Sequence, residues 1–381
     1  MGLYPQLRER FVEVARTAVL GELPDIESYH WPARSMRALA DAGLMGLTVP
    51  QRYGGLEAGL TGLAIAGEEL GRVSPSASLC FCMHAVGAGV IAAKATDDQA
   101  ARYLVPIAEG RHVTTLALSE PETGIHFYEP VTRLEPDGDH FLATGTKTFV
   151  TNGGQADSYV ISTLSGTAPA GAGLFDCLVL DHGAPGARWQ GEWRGLGMRG
   201  NSSIQLSLEG ARVPAANLLG EPGDQTWYIF QVIAPYFLTA MAATYVGLAQ
   251  SALSIATDHL KERRHANTGR SLAHVPALQT KLAGMWGQVQ QARLLLFQAA
   301  ERGDLGAPDA LPYILYAKAV AGEAAVDVAN EAMTCVGGHG YRDDGPLWGL
   351  LRDARAAHVM SPTTDLLKTW TARALLDLPI L

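Results

Sequence analysis

A serine and an aspartate near the end of the chain are the first candidates for chemistry. Ser361 and Asp365 lie in the segment Ser361-Pro362-Thr363-Thr364-Asp365. An unassisted serine hydroxyl is a poor base at pH 7, whereas an aspartate carboxylate can accept a proton. The same pattern predicts a helix start, with Ser361 as N-cap, Pro362 at the first helical position and Asp365 favourable in the first turn. The segment is therefore either catalytic or a helix start.

Histidines, glycines and arginines supply further candidates. His126, His339 and His358 could act as bases, although a histidine at any one of these positions is more often structural than catalytic.

Gly337-Gly338-His339-Gly340 follows an alanine-rich helical stretch. Glycine there is typical of a helix C-cap, and its missing side chain would also let the backbone approach a cofactor. The basic run Lys261-Glu262-Arg263-Arg264 is either a solvated helix end or an anion site.

One glycine motif is misleading. Residues 195–200 read G-x-G-x-x-G, but a dinucleotide site needs a strand before this motif and a helix after it. Residues 201–208 instead alternate as a strand does. The motif therefore predicts a loop of a β domain. The chain carries no P-loop, H-E-x-x-H or G-x-S-x-G pattern, so these hydrolase and phosphotransferase classes gain no support.

Composition narrows the class of protein. The 381 residues suggest two or three domains, and a net charge of −9 disfavours nucleic acid as a partner. Cys80, Cys82, Cys177 and Cys335 are too few and dispersed for a disulfide framework or a metal site, so we predict buried thiols. No secretory signal or apolar run of membrane-spanning length is evident, so we expect no membrane partner and a cytoplasmic protein.

The elements that must position these residues fall into three segments. Apolar residues recur at helical spacing up to about residue 112, then extended runs prevail to about residue 222, and helical spacing returns to the end. We predict an α+β protein: an N-terminal helical domain (1–112), a middle β-barrel or sandwich domain (113–222) and a C-terminal four-helix bundle (223–381). Four long helices with short connections favour an antiparallel bundle.

Six separated motifs match one family in order and spacing. They are residues 42–50 with Tyr53-Gly54-Gly55, Leu118-Ser119-Glu120-Pro121 with Gly124, residues 147–153, residues 196–200 with Val213-Pro214 and Asn217, residues 337–341, and Arg352-Asp353-Ala354. Each is weak alone, but together they resemble the acyl-CoA dehydrogenase superfamily over nearly the whole chain. The resemblance implies bound FAD, an acyl thioester substrate on CoA or a carrier protein, and a homodimer or homotetramer.

The resemblance also assigns cofactor contacts. Leu118 and Ser119 would face the flavin through backbone N–H groups and a hydroxyl, and Phe149 replaces the usual tryptophan beside the ring. Thr151 would offer a hydroxyl near N5. Further contacts would come from Thr363, from Gly337, Gly338 and Gly340 of a neighbouring subunit, and from Arg263 or Arg264 at the pyrophosphate. The family's arginine motif is shifted here, so both arginines remain candidates.

This chain departs from the family where the base is expected. Ser361 replaces the usual glutamate and Pro362 the usual glycine. Relatives that carry the glutamate on a bundle helix have it near Tyr236, Phe237 or Leu238, and none of these is acidic. In the predicted substrate loop, Gly124 is followed by Ile125 and His126 where the family has serine and aspartate. Gly124, Ile125, His126 and Pro362 are the candidate substrate contacts.

Three functions follow from the resemblance and its departures. The first is an FAD-dependent oxidoreductase of acyl thioesters with a relocated base or non-standard chemistry. The second is a flavin monooxygenase, because superfamily members without the glutamate use reduced flavin and O₂. The third is a non-catalytic FAD-binding subunit of a heteromer.

Overall fold

The computed structural model describes residues 3–165, 175–224 and 227–381. The chain runs from helices through a sheet to a second set of helices, which confirms the predicted α+β class and the order of its three parts. The predicted divisions at residues 112 and 222 both fall between elements.

The N-terminal part is helical. Its helices are α1 (Leu3–Val14), α2 (Leu20–Glu27), α3 (Ala33–Asp41), α4 (Gly59–Gly71), α5 (Pro75–Lys94), α6 (Asp97–Gln99) and α7 (Val105–Ala108). Ser74 is the N-cap of the long helix α5, since its hydroxyl accepts the N–H of Ala77 at 3.2 Å, and Pro75 follows in the first turn. Because most residues of α5 are small or apolar, it is buried along most of its length.

The middle part is a mixed sheet of eight strands in the described residues. The strands are β1 (Thr114–Ala117), β2 (Arg133–Asp137), β3 (His140–Val150), β4 (Ser158–Leu164), β5 (Phe175–Asp181), β6 (Ala187–Gln190), β7 (Ile204–Pro214) and β8 (Leu218–Leu219). Their order is β6-β7-β3-β2-β4-β5-β8, and β1 pairs in parallel with β4. The strand that follows the G-x-G-x-x-G motif is β7, as predicted, and not the helix of a dinucleotide site.

The C-terminal part is a helical bundle. A π-helical segment, Tyr228–Ile233, leads into its first helix. The helices are α8 (Ala234–Glu262), α9 (Pro276–Asp304), α10 (Ala310–Val336), α11 (Pro346–Ala354), α12 (Ala356–Val359) and α13 (Thr364–Leu375). Three of the four expected long helices have 27 to 29 residues, but the fourth, α13, has 12. The chain leaves helical geometry between Val359 and Thr364, which shortens the last helix.

In the part of the chain that the structure describes, two helical stretches are long and apolar enough to cross a membrane, contrary to the expectation from sequence. They are Pro75–Lys94 and Tyr228–Glu262. Their most apolar windows are 89% and 83% buried inside the protein, as is usual for core helices of globular proteins. The four cysteines are free and buried, which confirms the prediction of buried thiols.

Candidate active site

A cavity of about 870 Å³ lies where the three parts of the chain meet. Its walls come from α5, the segment after β1, the end of β3, the loop before β7, the start of α8 and the segment from α11 to α13. Eight of the residues predicted from the sequence line it: Leu118, Ser119, Gly124, Ile125, Phe149, Thr151, Ser361 and Pro362. The fold thus brings together motifs that are more than 200 positions apart.

Phe149 presents its ring to the cavity. A register shift between β3 and β7 separates Lys147 from Val150, and Phe149 takes a φ of 54° there. A positive φ is uncommon for a bulky residue and turns this side chain out of the regular strand pattern. The ring is 69% exposed and meets Trp193 edge to face, with ring centroids 6.4 Å apart. Trp193 was not predicted, because no pattern in its loop links it to β3.

Thr151 lies beside Phe149 in the cavity wall, and its backbone is firmly held. Its hydroxyl is 3.2 Å from the hydroxyl of Ser203, and its carbonyl accepts a hydrogen bond from Thr115 at 3.0 Å. The next residue, Asn152, is fully buried. Its side chain accepts from Trp31 at 2.8 Å and donates to the Cys80 carbonyl at 2.9 Å. These bonds fix the end of β3 to the N-terminal helices.

A buried ion pair supports the wall that contains Leu118 and Ser119. The Lys147 ammonium lies 2.5 Å from a Glu120 carboxylate oxygen, and both side chains are fully buried. Lys147 also donates to the Leu118 and Ser162 carbonyls, while Glu120 accepts the backbone N–H groups of residues 131 and 132. The pair thereby ties the segment after β1 to β3, β4 and the start of β2.

Electrostatics keep this pair ionised near neutral pH. Burial raises the pKa of Glu120, but the charge and hydrogen bond of Lys147 and the Thr132 hydroxyl outweigh burial and leave that pKa below its usual value. Burial also lowers the pKa of Lys147 to about 8, despite the attraction of Glu120. Glu120 is the only carboxylate among the described residues that line the cavity, and it is already paired with the Lys147 ammonium.

The segment with Ser361 corrects one prediction. Ser361 is not an N-cap, since its hydroxyl donates to the Ile125 carbonyl at 3.2 Å. Thr363 caps α13 instead: its backbone is extended and its hydroxyl accepts the N–H of Leu366 at 3.4 Å. Pro362 therefore precedes the helix and lines the cavity. Asp365 lies exposed in the first turn of α13, where the helix dipole stabilises a carboxylate. It does not line the cavity.

The other candidate bases do not line the cavity either. A ring nitrogen of His126 is 2.7 Å from the Tyr128 hydroxyl, and one of His358 is 3.2 Å from the Thr364 hydroxyl. Burial lowers the pKa of His358, which favours its neutral form. Of the three positions considered on the bundle helix, only Phe237 lines the cavity. Ser361 and Phe237 therefore face the same cavity.

The aspartate of the R-D-A motif holds the loop before β7, and the arginine bonds to the N-terminal helices. Asp353 accepts the N–H of Met198 at 2.8 Å, and burial raises the pKa of this carboxyl to about 7. Arg352 donates to Glu27 at 2.5 Å and places its guanidinium 4.1 Å from the centre of the Trp348 ring. These contacts connect α11 with the N-terminal helices and with residues 197–198 of the cavity wall.

A second group of predicted cofactor residues lies away from the cavity. Arg263 and Arg264 follow α8, and Gly337, Gly338 and Gly340 follow α10. The rings of His259 and His339 are 6.2 Å apart, so the two helix ends are neighbours. Gly337 has a φ of 69° and ends α10, which confirms the predicted glycine cap. Within one chain, therefore, the predicted cofactor contacts form two separate groups.

Comparisons with known proteins agree with this arrangement. Residues 5–111, 115–211 and 238–376 match the family models described as acyl-CoA dehydrogenase N-terminal, middle and C-terminal domain. An acyl-CoA dehydrogenase of Bacillus subtilis is 31% identical over 96% of this chain and 94% of its own length. Cyclohex-1-ene-1-carbonyl-CoA dehydrogenase of Geobacter metallireducens is 32% identical over 91% of this chain and 90% of its own.

A solved structure agrees as well. Butyryl-CoA dehydrogenase of Megasphaera elsdenii superposes with a TM-score of 0.92 at 25% identity, covering 99% of this chain and 98% of the other. Family models that span most of the chain, near full-length relatives and the shared three-part fold lead to one assignment. The chain belongs to the acyl-CoA dehydrogenase family of flavin oxidoreductases.

Proposed function

We propose that this chain is an FAD-dependent oxidoreductase that acts on an acyl thioester, carried by CoA or a carrier protein, without a carboxylate at the family's base position. The names of its relatives support the substrate class, since they include acyl-CoA and cyclohexenecarbonyl-CoA dehydrogenases. The cavity supports a ligand with a long apolar part. Leu79, Met83, Phe237 and Met360 are among the apolar residues that line it.

The residues around Phe149 fit a flavin. An aromatic ring that is 69% exposed at a cavity wall offers an edge or face to a flat heteroaromatic ring. The backbone of Leu118 and Ser119 and the hydroxyl of Thr151 line the same cavity and can hydrogen-bond to polar atoms of such a ring. A bound flavin would supply two-electron redox chemistry that the side chains lack. The chain's own part is to orient the ring and the acyl group and to exclude water.

The observation that carries this proposal is the position of Ser361. Its hydroxyl lines the cavity but donates its proton to Ile125, so it is a donor there and not a base. The only carboxylate in the described wall, Glu120, is held by Lys147. Removal of a proton from the acyl α-carbon therefore needs a base that the described wall does not provide.

Anaerobic mixing of the purified FAD protein with saturated acyl-CoAs of different length tests the proposal. We expect slow bleaching of the flavin absorbance, since a positioned general base contributes about 10²–10⁴-fold to such rates. Rapid bleaching by a simple acyl-CoA would show that a base is present and would refute the proposal that the base position lacks one. Absence of any spectral change on adding acyl thioesters would refute the substrate class.

The missing carboxylate also favours a second candidate, a flavin monooxygenase of the same family. Such a reaction needs no proton acceptor at residue 361. It predicts that the flavin is reduced by an external reductase with NADH and that O₂ is then consumed only when substrate is present. Uncoupled O₂ consumption, identical with and without acyl thioester, would speak against this candidate.

We also propose a homo-oligomer in which each FAD is shared between two subunits. The second group of predicted contacts, Arg263, Arg264 and residues 337–340, does not line the cavity of its own chain. A symmetric partner could bring these residues to the cavity of the first chain. Light scattering of the FAD-loaded protein tests this, because a monomer that holds FAD tightly would contradict it.

A further inference from the structure

A fully buried lysine lies behind the cavity wall that contains Ser361. Lys318, in α10, has no solvent exposure. Its ammonium donates to three backbone carbonyls, those of Ala357 at 2.9 Å, Met360 at 3.0 Å and Pro362 at 2.8 Å. All three acceptors belong to one short segment, residues 357–362, which contains the end of α12 and the turn into α13.

These carbonyls need a donor because of where they lie. The last carbonyls of a helix have no partner within that helix, and a buried carbonyl without a partner costs about 1–3 kcal/mol. An ammonium carries three donors and no acceptor, and hydrogen bonds from a charged group are the stronger ones. One side chain thus satisfies three backbone groups for which the described residues supply no backbone donor.

Close packing of α10 on α12 makes this reach possible. A Cβ added to Gly322 would lie 2.8 Å from the Cβ of Ala357, so the two helices nearly touch at this point. Lys318 lies one turn before Gly322 and extends along this contact to the turn beyond α12. Gly322 on α10 and Ala357 on α12 therefore allow the lysine to span both ends of residues 357–362.

The opposite side of the same segment forms the cavity. Met360, Ser361 and Pro362 line it, and Ser361 bonds across to Ile125. Two of the three carbonyls held by Lys318 belong to Met360 and Pro362, on either side of Ser361. The lysine therefore holds the backbone on both sides of Ser361.

We propose that Lys318 is a positioning residue, which anchors residues 357–362 and thereby sets the place of Ser361 and Pro362 against the bound flavin and acyl ligand. The identity of those ligands rests on the proposed function, whereas the anchoring rests on the three hydrogen bonds. Lys318 acts through the segment and touches no reacting atom.

Three variants test this in the flavin-loaded protein. Lys318→Met keeps the volume without a donor, and Lys318→Gln keeps two N–H donors on a shorter chain. Lys368→Met is the matched control, because Lys368 on α13 pairs with Glu323 of α10 and contacts none of the three carbonyls. The measurements are hydrogen–deuterium exchange of peptides covering 356–363, the visible spectrum of the flavin, and the Kd of butyryl-CoA from its perturbation of that spectrum.

We expect exchange in 356–363 to accelerate at least about tenfold in Lys318→Met, from the loss of three hydrogen bonds. The acceleration should be smaller in Lys318→Gln and absent in Lys368→Met. The flavin band and the butyryl-CoA Kd should change in the same order. Unchanged exchange in Lys318→Met would overturn the proposal, and so would faster exchange with an unaltered flavin spectrum, since the lysine would then be only structural.

Two further outcomes remain decisive. If Lys318→Met does not fold, Lys318→Gln decides by the same measurements. If the wild-type protein binds flavin but ignores butyryl-CoA, the proposed substrate class fails for that ligand, while exchange and the flavin spectrum still decide the role of Lys318.

Discussion

Ser361 donates its hydroxyl proton to the carbonyl of Ile125 at 3.2 Å, although 236 positions separate the two residues in the chain. The bond joins two walls of the cavity, one from the loop after β1 and one from the turn before α13. The resemblance to the family leads us to expect the substrate loop in the first wall and the base in the second. The residue at that second position here is a serine whose hydroxyl is already a donor.

Restoring the family sequence at this turn should create dehydrogenase activity. We expect Ser361→Glu with Pro362→Gly to bleach its flavin with saturated acyl-CoAs about 10²–10⁴ times faster than the wild type, since this is the usual contribution of a positioned base. Anaerobic stopped-flow absorbance measures the rate. Val359→Glu is the control, because it adds a carboxylate at an exposed position of the same cavity. An equal gain in both variants would mean that the position of the carboxylate is unimportant.

Removing the Asp365 carboxylate should affect stability and not activity. Asp365 is exposed in the first turn of α13 and does not line the cavity. We expect Asp365→Asn to lower the free energy of unfolding by about 0.3–1 kcal/mol through the helix dipole, with flavin turnover unchanged. Urea denaturation and steady-state assays measure the two quantities. Loss of flavin reduction by substrate would instead identify Asp365 as a relocated base.

Breaking the ion pair of Glu120 and Lys147 should be costly. Lys147→Met leaves a buried carboxylate without its cation, and we expect a loss of about 3–5 kcal/mol in unfolding free energy together with weaker FAD retention, because the Leu118 segment loses its support. Denaturation curves and FAD content per chain provide the measurement. The double variant Glu120→Leu with Lys147→Met should recover part of the loss, and failure to do so would show that the pair's individual hydrogen bonds dominate.

Mixed oligomers should reveal whether FAD sites are shared. Arg263→Ala with Arg264→Ala should weaken FAD binding in the pure variant, and so should Phe149→Asp, which places a carboxylate at the proposed ring site. Co-expression of differently tagged chains should give mixed dimers with one intact site, because the cavity of one chain meets the arginines of the other. FAD content of doubly tagged dimers measures this. Mixed dimers as empty as both pure variants would show that each FAD site takes both groups of residues from the same chain, and would contradict the shared site.

Lys318 should make stability rise with pH above neutrality. Burial lowers the pKa of Lys318 to about 7, whereas in the unfolded chain the pKa returns to its ordinary value near 10.5. Between these values the unfolded state binds the proton and the folded state does not, so unfolding free energy increases with pH, by at most about 1.4 kcal/mol per unit. Below about pH 7 Lys318 is protonated in both states, so its contribution to the unfolding free energy no longer changes with pH.

Comparison of the wild type with Lys318→Met isolates this titration. The difference in unfolding free energy between the two proteins, measured with urea at pH 7 and pH 9, should shift in favour of the wild type at the higher pH. Lys368→Met serves as the control, because its lysine is partly exposed and its pKa is raised by Glu323. If the difference in unfolding free energy between the wild type and Lys318→Met is the same at pH 7 and pH 9, Lys318 stays protonated over this range.

Local sequence patterns were sufficient for the elements and for the family. Alternation predicted β7 after the misleading glycine motif, and Gly337 predicted the end of α10, because these features depend on the backbone of a few neighbouring residues. The ordered motifs predicted the family, and eight residues singled out by the resemblance or by departures from it line the cavity. The capping of α13 was predicted wrongly, with Ser361 in place of Thr363, because a serine before proline has the local pattern of an N-cap and its distant acceptor is invisible in sequence.

Tertiary structure decided which polar side chains are buried and what they hold. Nothing in the neighbouring sequence marks Lys147 and Lys318 as buried, since most lysines lie at the surface. Trp193 lies in a loop without periodicity, so its place in the cavity wall has no local signal either. Their roles depend on packing: Gly322 must let α10 approach α12 before Lys318 can reach three carbonyls, and β3 must pair with β7 before Phe149 can meet Trp193. Sequence determines backbone preferences over short distances, whereas the partner of a buried charge is fixed only when distant segments are packed together and water is excluded.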